Sequence, residues 1–216
     1  MELGTCNLEP RTWNKTTLLI TKNNNLRSLP PLWGGLGWGS SLMNQEQLIA
    51  SIRNVPNFPQ PGIQFKDITT AMKDADALRY MADELYHYYK EKGITKVVGV
   101  ESRGFVLGSI LAYKLGAGFV LLRKPGKLPA ETYRVDYALE YGVDALEIHK
   151  DAIAPDDVVL LHDDLLATGG SANAALQLLR KFGNNPIYVS FLIELEFLNG
   201  RPRLGEAKDV HSLIQF

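Results

Sequence analysis

The chain reads as an α/β fold: a mainly parallel sheet flanked by helices, with a flexible β-hairpin flap. Three observations predict it. From Lys96 onward, apolar runs of strand length alternate with segments of helical period. Those runs are continuously apolar, as in strands buried on both faces, and do not alternate as in a sheet with one wet face. The alternation is interrupted once, by a polar loop and a stretch of period two. In a sheet of this kind, ligands bind beyond the carboxyl ends of the strands.

Taken in order, residues 1–42 precede any periodic pattern. All three tryptophans (Trp13, Trp33, Trp38) and the single cysteine, Cys6, lie there, amid NKTT, TKNNN, SLPPL and GGLGWGSS. Three readings compete: a disordered N-terminal extension or mis-assigned start, an organelle transit peptide, against which Glu2 and Glu9 weigh, and a partner-binding arm. The folded domain is expected over residues 43–216.

Asn44 caps the first helix, with Gln47 returning the bond and Leu48, Ile49 and Ile52 on one face. A proline-rich turn, NFPQPGIQFKDIT, leads to Asp74, the expected cap of a helix that lines up Leu78, Met81, Leu85 and Tyr88 and stops at Gly93. KVVGVE then reads as a strand, GFVLGSILAYKLG as a helix, GFVLLRK and DVVLLHD as strands, SANAALQLLRKFG as a helix and PIYVSFLIEL as a strand. Between Lys124 and His149, YALEYGVDALEIH alternates like a hairpin where an active-site flap could sit.

Composition excludes several classes. The formal charge of -1 provides no basic field to hold nucleic acid or an anionic membrane, so an anionic ligand must be held locally. One cysteine forms no internal disulfide and no zinc spacing is present, which suits a reducing, cytoplasmic location. The longest apolar runs, such as VVLL, fall far short of the roughly 20 residues that span a bilayer. The start lacks the basic, apolar and small-residue succession of a secretion signal.

The most informative stretch is VVLLHDDLLATGGS. Its strand is expected to end near Asp163 and its helix to open at Ser171. A helix N-terminus presents free N–H groups, Gly169 and Gly170 admit a ligand close to the backbone, and Thr168 and Ser171 add hydroxyl donors. That makes a cradle for one phosphate; a ligand-free turn with a serine cap is the alternative. The pattern G-x-x-x-x-G-K-[ST] is absent, because Gly126-Lys127 is followed by Leu128, and no strand leads into G-x-G-x-x-G. Asp163 and Asp164 would repel a phosphate unless they face a metal ion or the hydroxyls of a sugar, which suggests ribose 5-phosphate. Capping of local backbone is the other reading of the pair.

An acidic pair followed by ATGG and a hydroxyl residue is similar to the signature with which type I phosphoribosyltransferases bind 5-phosphoribosyl 1-pyrophosphate (PRPP). With FPQPGIQFKDIT, VVGVESRGFVLG, LLRKPGKLPAET and YALEYG in the same order, the chain from Met43 to its C-terminus resembles the adenine phosphoribosyltransferases of that family. The resemblance implies a purine salvage enzyme with a catalytic domain over 43–216, transferring ribose 5-phosphate to N9 of adenine and releasing AMP and pyrophosphate. The site must then neutralise the leaving group, hold the electron-poor ribose in line and present the base.

It also implies roles. Mg2+ is carried by the substrate with no direct protein ligand, Asp163 and Asp164 lying in its shell and on the ribose hydroxyls. Ala167, Thr168, Gly169, Gly170 and Ser171 hold the 5′-phosphate. Ser102 and Arg103 form the pyrophosphate loop, and Arg123, Lys124 and Lys127 set cations against the pyrophosphate, although RKPGK alone would read as a solvated basic loop. Which of these acts across a dimer is left open. Phe65 stacks on adenine, and the main chain from Ile63 to Lys66 reads its edge, with Gln64 where the family often has an aliphatic residue. Glu140 is the flap carboxylate that approaches N7, and Glu140 and Arg103 are the expected catalytic residues. Apart from the resemblance, His149 and His162 lie in strands and read as packing or hydrogen-bonding histidines, not ligands. A homodimer is expected, with no nucleic-acid or membrane partner. Two rival readings stand beside this one: a 6-oxopurine transferase, for which no lysine-containing base loop is seen, and a PRPP-responsive regulator, for which no DNA-binding helix pair is seen.

Overall fold

The computed structural model describes residues 43–216 apart from 59, 140, 141, 184 and 206, so the readings of residues 1–42 and the role of Glu140 lie outside the described residues. The first helix, α1 (Gln45–Ser51), starts at the expected capping box: Asn44 Oδ1 accepts from the Gln47 N–H at 2.8 Å, and Gln47 Oε1 accepts from the Asn44 N–H at 2.9 Å. Leu48 and Ile52 are buried by it.

The proline-rich turn is more regular than its sequence suggests. β1 (Arg53–Pro56) and β2 (Gln64–Asp67) pair antiparallel, Val55 opposite Phe65. Hydrogen bonds from Arg53 and Thr69 clamp Asp67 below the strands and hold its carboxyl at about 2. Four residues are too few to show an alternation, and the intervening prolines mark a turn instead. One helical turn, α2 (Thr69–Met72), follows.

α3 (Ala75–Tyr89) is capped as expected by Asp74, whose Oδ1 accepts from the Asp76 and Ala77 N–H groups, both at 2.9 Å. Its inner face is Ala77, Met81, Ala82, Leu85 and Tyr89. Tyr88, expected inward, is 38 % exposed and stacks on His211 with 3.8 Å between ring centres. Tyr89 takes the inner place and donates to the Val189 carbonyl at 2.9 Å. Both tyrosines fall at the margin of the same helical stripe, and the carbonyl waiting for a buried hydroxyl decides between them.

β3 (Lys96–Val100), α4 (Gly104–Leu115) and β4 (Gly118–Leu122) form the first parallel unit, with Gly116 ending α4 in the left-handed conformation at φ 67°. The hairpin follows as β5 (Thr132–Leu139) and β6 (Gly142–His149). Then come β7 (Val159–Leu166), α5 (Gly170–Leu179), β8 (Ile187–Glu194) and β9 (Asp209–Gln215). The large sheet has the order β4-β3-β7-β8-β9 with parallel neighbours throughout. β9 escapes the sequence reading because VHSLIQ is half polar, as suits an edge strand.

α1, α3 and α4 contribute to one apolar cluster against the sheet, while α5 and the inner residues of β6 contribute to the other. The chain winds outward from β3 in both directions, so the order reverses between β3 and β7, and a crevice opens at the carboxyl ends of those two strands. One correction applies there. β7 does not end near Asp163 but continues beside β8 as far as Leu166, whereas its pairing with β3 stops at His162. The next helix opens at Gly170, with Gly169 rather than a serine as its cap. Asp74→Ala is expected to destabilise the domain by about 1 kcal/mol by orphaning two α3 N–H groups, measured as a lower urea midpoint at unchanged slope.

Candidate active site

Where β3 and β7 part, a cavity of ≈ 790 Å³ opens. The loop after β3 supplies Glu101, Ser102 and Arg103, the loop after β7 supplies Ala167 to Ser171, the turn after β4 supplies Lys124 and Lys127, and the hairpin contributes Tyr137 and Asp144. Asp163 and Asp164 line the same cavity.

Their setting depends on a close approach. A Cβ on Gly104 would come within 2.8 Å of the His162 carbonyl oxygen and 3.1 Å of Asp163 Oδ1. Only glycine lets the start of α4 lie against β7 at this point. Arg103, just ahead of it, sets Nε 2.7 Å from Asp164 Oδ2, and the Asp164 N–H donates to Asp163 Oδ1 at 2.8 Å. Burial and the adjacent Asp164 charge push the Asp163 carboxyl well above its ordinary range, and burial also raises Asp164 against the pull of Arg103. Such a pair takes up a proton more readily than exposed carboxylates do, and a cation or hydroxyl donor would favour its charged form. His162 is fully buried, with Nδ1 3.1 Å from Ser190 Oγ, and burial lowers it to about 4, so it stays neutral as a packing residue.

The turn from Ala167 to Ser171 is shaped by a contact that the sequence does not advertise. Gly169 adopts φ 80°, and a Cβ there would lie 2.5 Å from the Gly200 carbonyl oxygen; a Cβ on Gly200 would lie 2.1 Å from the Ala167 oxygen. Two glycine backbones therefore press together behind the turn. Arg201 anchors this support to the end of β8, its Nε 2.9 Å from Glu194 Oε1. Gly169 provides no side-chain cap for the first turn of α5, whose residues Gly170 to Ala172 line the cavity, which leaves its N–H groups as donors suited to an anion.

The basic residues sort into two groups. Lys124 Nζ lies 3.0 Å from Asp144 Oδ2, which also accepts from the Tyr137 hydroxyl at 3.3 Å. Arg123 turns its Nε to Glu101 Oε2 at 3.1 Å, and Lys127 reaches Glu101 Oε1. Burial alone would raise the Glu101 carboxyl, but hydrogen bonds from Lys127, the Lys124 N–H and Arg123 outweigh it and hold it at about 2. The Glu101–Ser102 peptide is cis. Burial and the neighbouring Asp144 push Tyr137 up to about 12.

Phe65 does not line this cavity and is linked to it through Arg103: Phe65 meets Phe58 edge-on at 5.2 Å, and the Arg103 guanidinium lies 5.5 Å from the Phe65 ring centre. Arg103 thus joins the aromatic residue to the acidic pair. The neighbouring side chains are engaged elsewhere: Gln64 Oε1 accepts from Asn54 Nδ2 at 2.7 Å, Lys66 Nζ sits 4.2 Å over the Phe216 ring, and Ile63 is exposed. Sequence reasoning missed Glu101, Tyr137, Asp144, Gly104 and Gly200. Tyr137 and Asp144 are register partners across the hairpin, so its period-two pattern could have nominated them; Glu101 stands inside VVGVESRG; Gly200 left no local signal.

The model of a family described as a phosphoribosyl transferase domain matches residues 64–194. The adenine phosphoribosyltransferase of Bacteroides fragilis is 57% identical over 169 residues, covering 78% of this chain and 95% of that protein. Among solved structures, adenine phosphoribosyltransferase from Rhodothermus marinus is 50% identical with a TM-score of 0.74, over 79% of this chain and 97% of that one. The Giardia lamblia enzyme complexed with 9-deazaadenine is 43% identical with a TM-score of 0.77, over 81% and 98% of the two chains.

The glycine contact behind the turn has a direct test. Gly200→Ala is expected to displace residues 167–170 and weaken the binding of inorganic phosphate, followed by phosphorus NMR titration, while circular dichroism reports a retained fold.

Proposed function

The chain belongs to the adenine phosphoribosyltransferases, within the type I phosphoribosyltransferase family, and from that membership we propose that it transfers the ribose 5-phosphate of PRPP to N9 of adenine, forming AMP and releasing pyrophosphate. It is a glycosyltransferase of purine salvage. The observation that carries the reading is the acidic pair set between an uncapped helix N-terminus and a cluster of cations in one cavity.

In this reading the turn from Ala167 to Ser171 takes the 5′-phosphate through backbone N–H groups and hydroxyls. Asp163 and Asp164 accept from the ribose hydroxyls. Ser102, Arg103, Lys124 and Lys127 take the pyrophosphate, with Arg123 behind them, and neutralise charge as it departs. Phe65 presents a face to the purine while the main chain from Ile63 to Lys66 reads its edge. Arg103, held between Asp164 and Phe65, aligns ribose and base. Glu140 remains the proposed partner of N7 as N9 attacks. When bound, Mg2+ neutralises the leaving pyrophosphate. Asp163 and Asp164, both lining the cavity, would stand in the outer shell of such a metal, whose direct ligands would be substrate oxygens and water.

A homodimer is part of the proposal. Val106 and Tyr113, the latter 87 % exposed, stand out from α4, and Leu121 from the edge strand β4. Light scattering is expected to give twice the chain mass. No helix of the described residues is long and apolar enough to cross a membrane, and the cytoplasm is the proposed location. The catalytic domain is proposed over residues 43–216, with residues 1–42 dispensable.

Pyrophosphate release with PRPP, Mg2+ and each purine base in turn tests the assignment, using the full chain beside one started at Met43. Adenine-dependent release from both is expected; release with hypoxanthine or guanine instead would move the assignment within the fold. A second expectation concerns pH. The acidic pair must be ionised to accept ribose hydroxyls, and its protons are held more tightly than those of ordinary carboxylates. The acid limb of kcat/KM for PRPP therefore lies above the ordinary carboxylate range. Asp164→Asn removes the neighbouring charge from Asp163, so it should move the limb to lower pH while reducing the plateau.

A further inference from the structure

Glu101 follows the last residue of β3, against the basic turn, and has no role in the assignments above. Its side chain is 10 % exposed and accepts three hydrogen bonds. Oε2 takes the Arg123 Nε–H at 3.1 Å and the Lys124 backbone N–H at 3.0 Å, and Oε1 takes the Lys127 ammonium. One carboxylate therefore fixes two cations and the start of the turn between them.

The turn is held from its other side as well. Pro125 and Gly126 form its corner, Gly126 at φ 74°, the left-handed value that glycine supplies in a type II turn. The Gly126 N–H donates to Glu147 Oε2 at 3.0 Å, and Arg123 Nη1 donates to the Lys127 carbonyl at 3.3 Å. Without an anion beneath it, this turn would carry adjacent like charges on long side chains, which repel and lose rotamer freedom on ordering. Lys127 spends one ammonium donor on Glu101 and is 46 % exposed, which leaves donors for a ligand in the cavity it lines.

We infer that Glu101 is a positioning residue for the pyrophosphate end of the substrate: touching no ligand itself, it holds Lys127, Arg123 and the Lys124 amide in the arrangement that receives the leaving group. The inference rests on assigning the basic turn to pyrophosphate. Bound in this way the carboxylate stays charged, because its three donors stabilise the anion.

The test is calorimetric titration of pyrophosphate with Mg2+ into wild type, Glu101→Gln and Glu101→Asp, with steady-state KM values for PRPP and adenine and thermal unfolding of each variant. Glu101→Gln keeps the size but loses the charge, and is expected to weaken pyrophosphate binding and raise the KM for PRPP about tenfold, the loss of one charge-assisted hydrogen bond, while the KM for adenine stays at the wild-type value. Glu101→Asp keeps the charge and should recover part of that loss. Combined with Lys127→Met, Glu101→Gln should cost less than the product of the two single effects, because it acts through Lys127. Pyrophosphate binding that is unchanged or tighter in Glu101→Gln would overturn the proposal, as would an equal rise in both KM values, which marks a merely structural role. Failure of wild type to bind pyrophosphate would instead overturn the assignment of the basic turn, and this inference with it.

Discussion

The site depends on one place where no side chain fits. At Gly104 the first residue of α4 meets the backbone of β7 at His162 and the carboxylate of Asp163, and a single methyl group would force the two apart. This contact lies where β3 and β7 stop pairing. It brings the loop after β3 level with the acidic pair, and it carries Arg103 into reach of both Asp164 and Phe65. A wider gap would leave Asp163 and Asp164 more solvated, with acidity closer to the ordinary range, and would take Arg103 away from Phe65.

The charges of the cavity are paired before any ligand arrives. Arg103 has Asp164, Lys124 has Asp144, and Arg123 and Lys127 share Glu101. These pairs differ in kind. Arg103 and Asp164 are assigned to neighbouring but different groups of the proposed substrate, pyrophosphate and ribose, so their contact is one that a ligand would loosen. Glu101 lies beneath the basic turn and is 10 % exposed, so its contacts can persist under a ligand. Preorganised pairing of this kind lowers the reorganisation that binding and reaction require, at the cost of anions close to an anionic substrate.

Much of this was legible in the residues. The phosphate turn and the acidic pair are local chemistry: glycine, hydroxyl and carboxylate neighbours within one short stretch, so their grouping survives in sequence. The central strands announce themselves by unbroken apolar runs, and Asn44 and Asp74 by cap chemistry. The misreadings have nonlocal causes. Tyr88 and Tyr89 differ by which one finds a buried carbonyl on β8, and β9 carries polar residues because it is an edge. Gly200 matters only through a turn formed far earlier in the chain. Glu101 was visible inside a motif, but its partners come from another loop altogether.

The fork between β3 and β7 bears on how the sheet is closed as well as on binding. From Asp163 to Leu166, β7 keeps β8 on one flank and has lost β3 on the other, so a short edge opens inside the sheet. An unpaired strand edge invites a foreign strand to dock, and natural proteins guard against this with charge. Here the edge is covered instead: the start of α4 lies against it at Gly104, Asp164 is buried, and the Asp163 side chain occupies the Asp164 N–H. The fork therefore leaves room for a ligand between two strands while offering little free backbone to a foreign one.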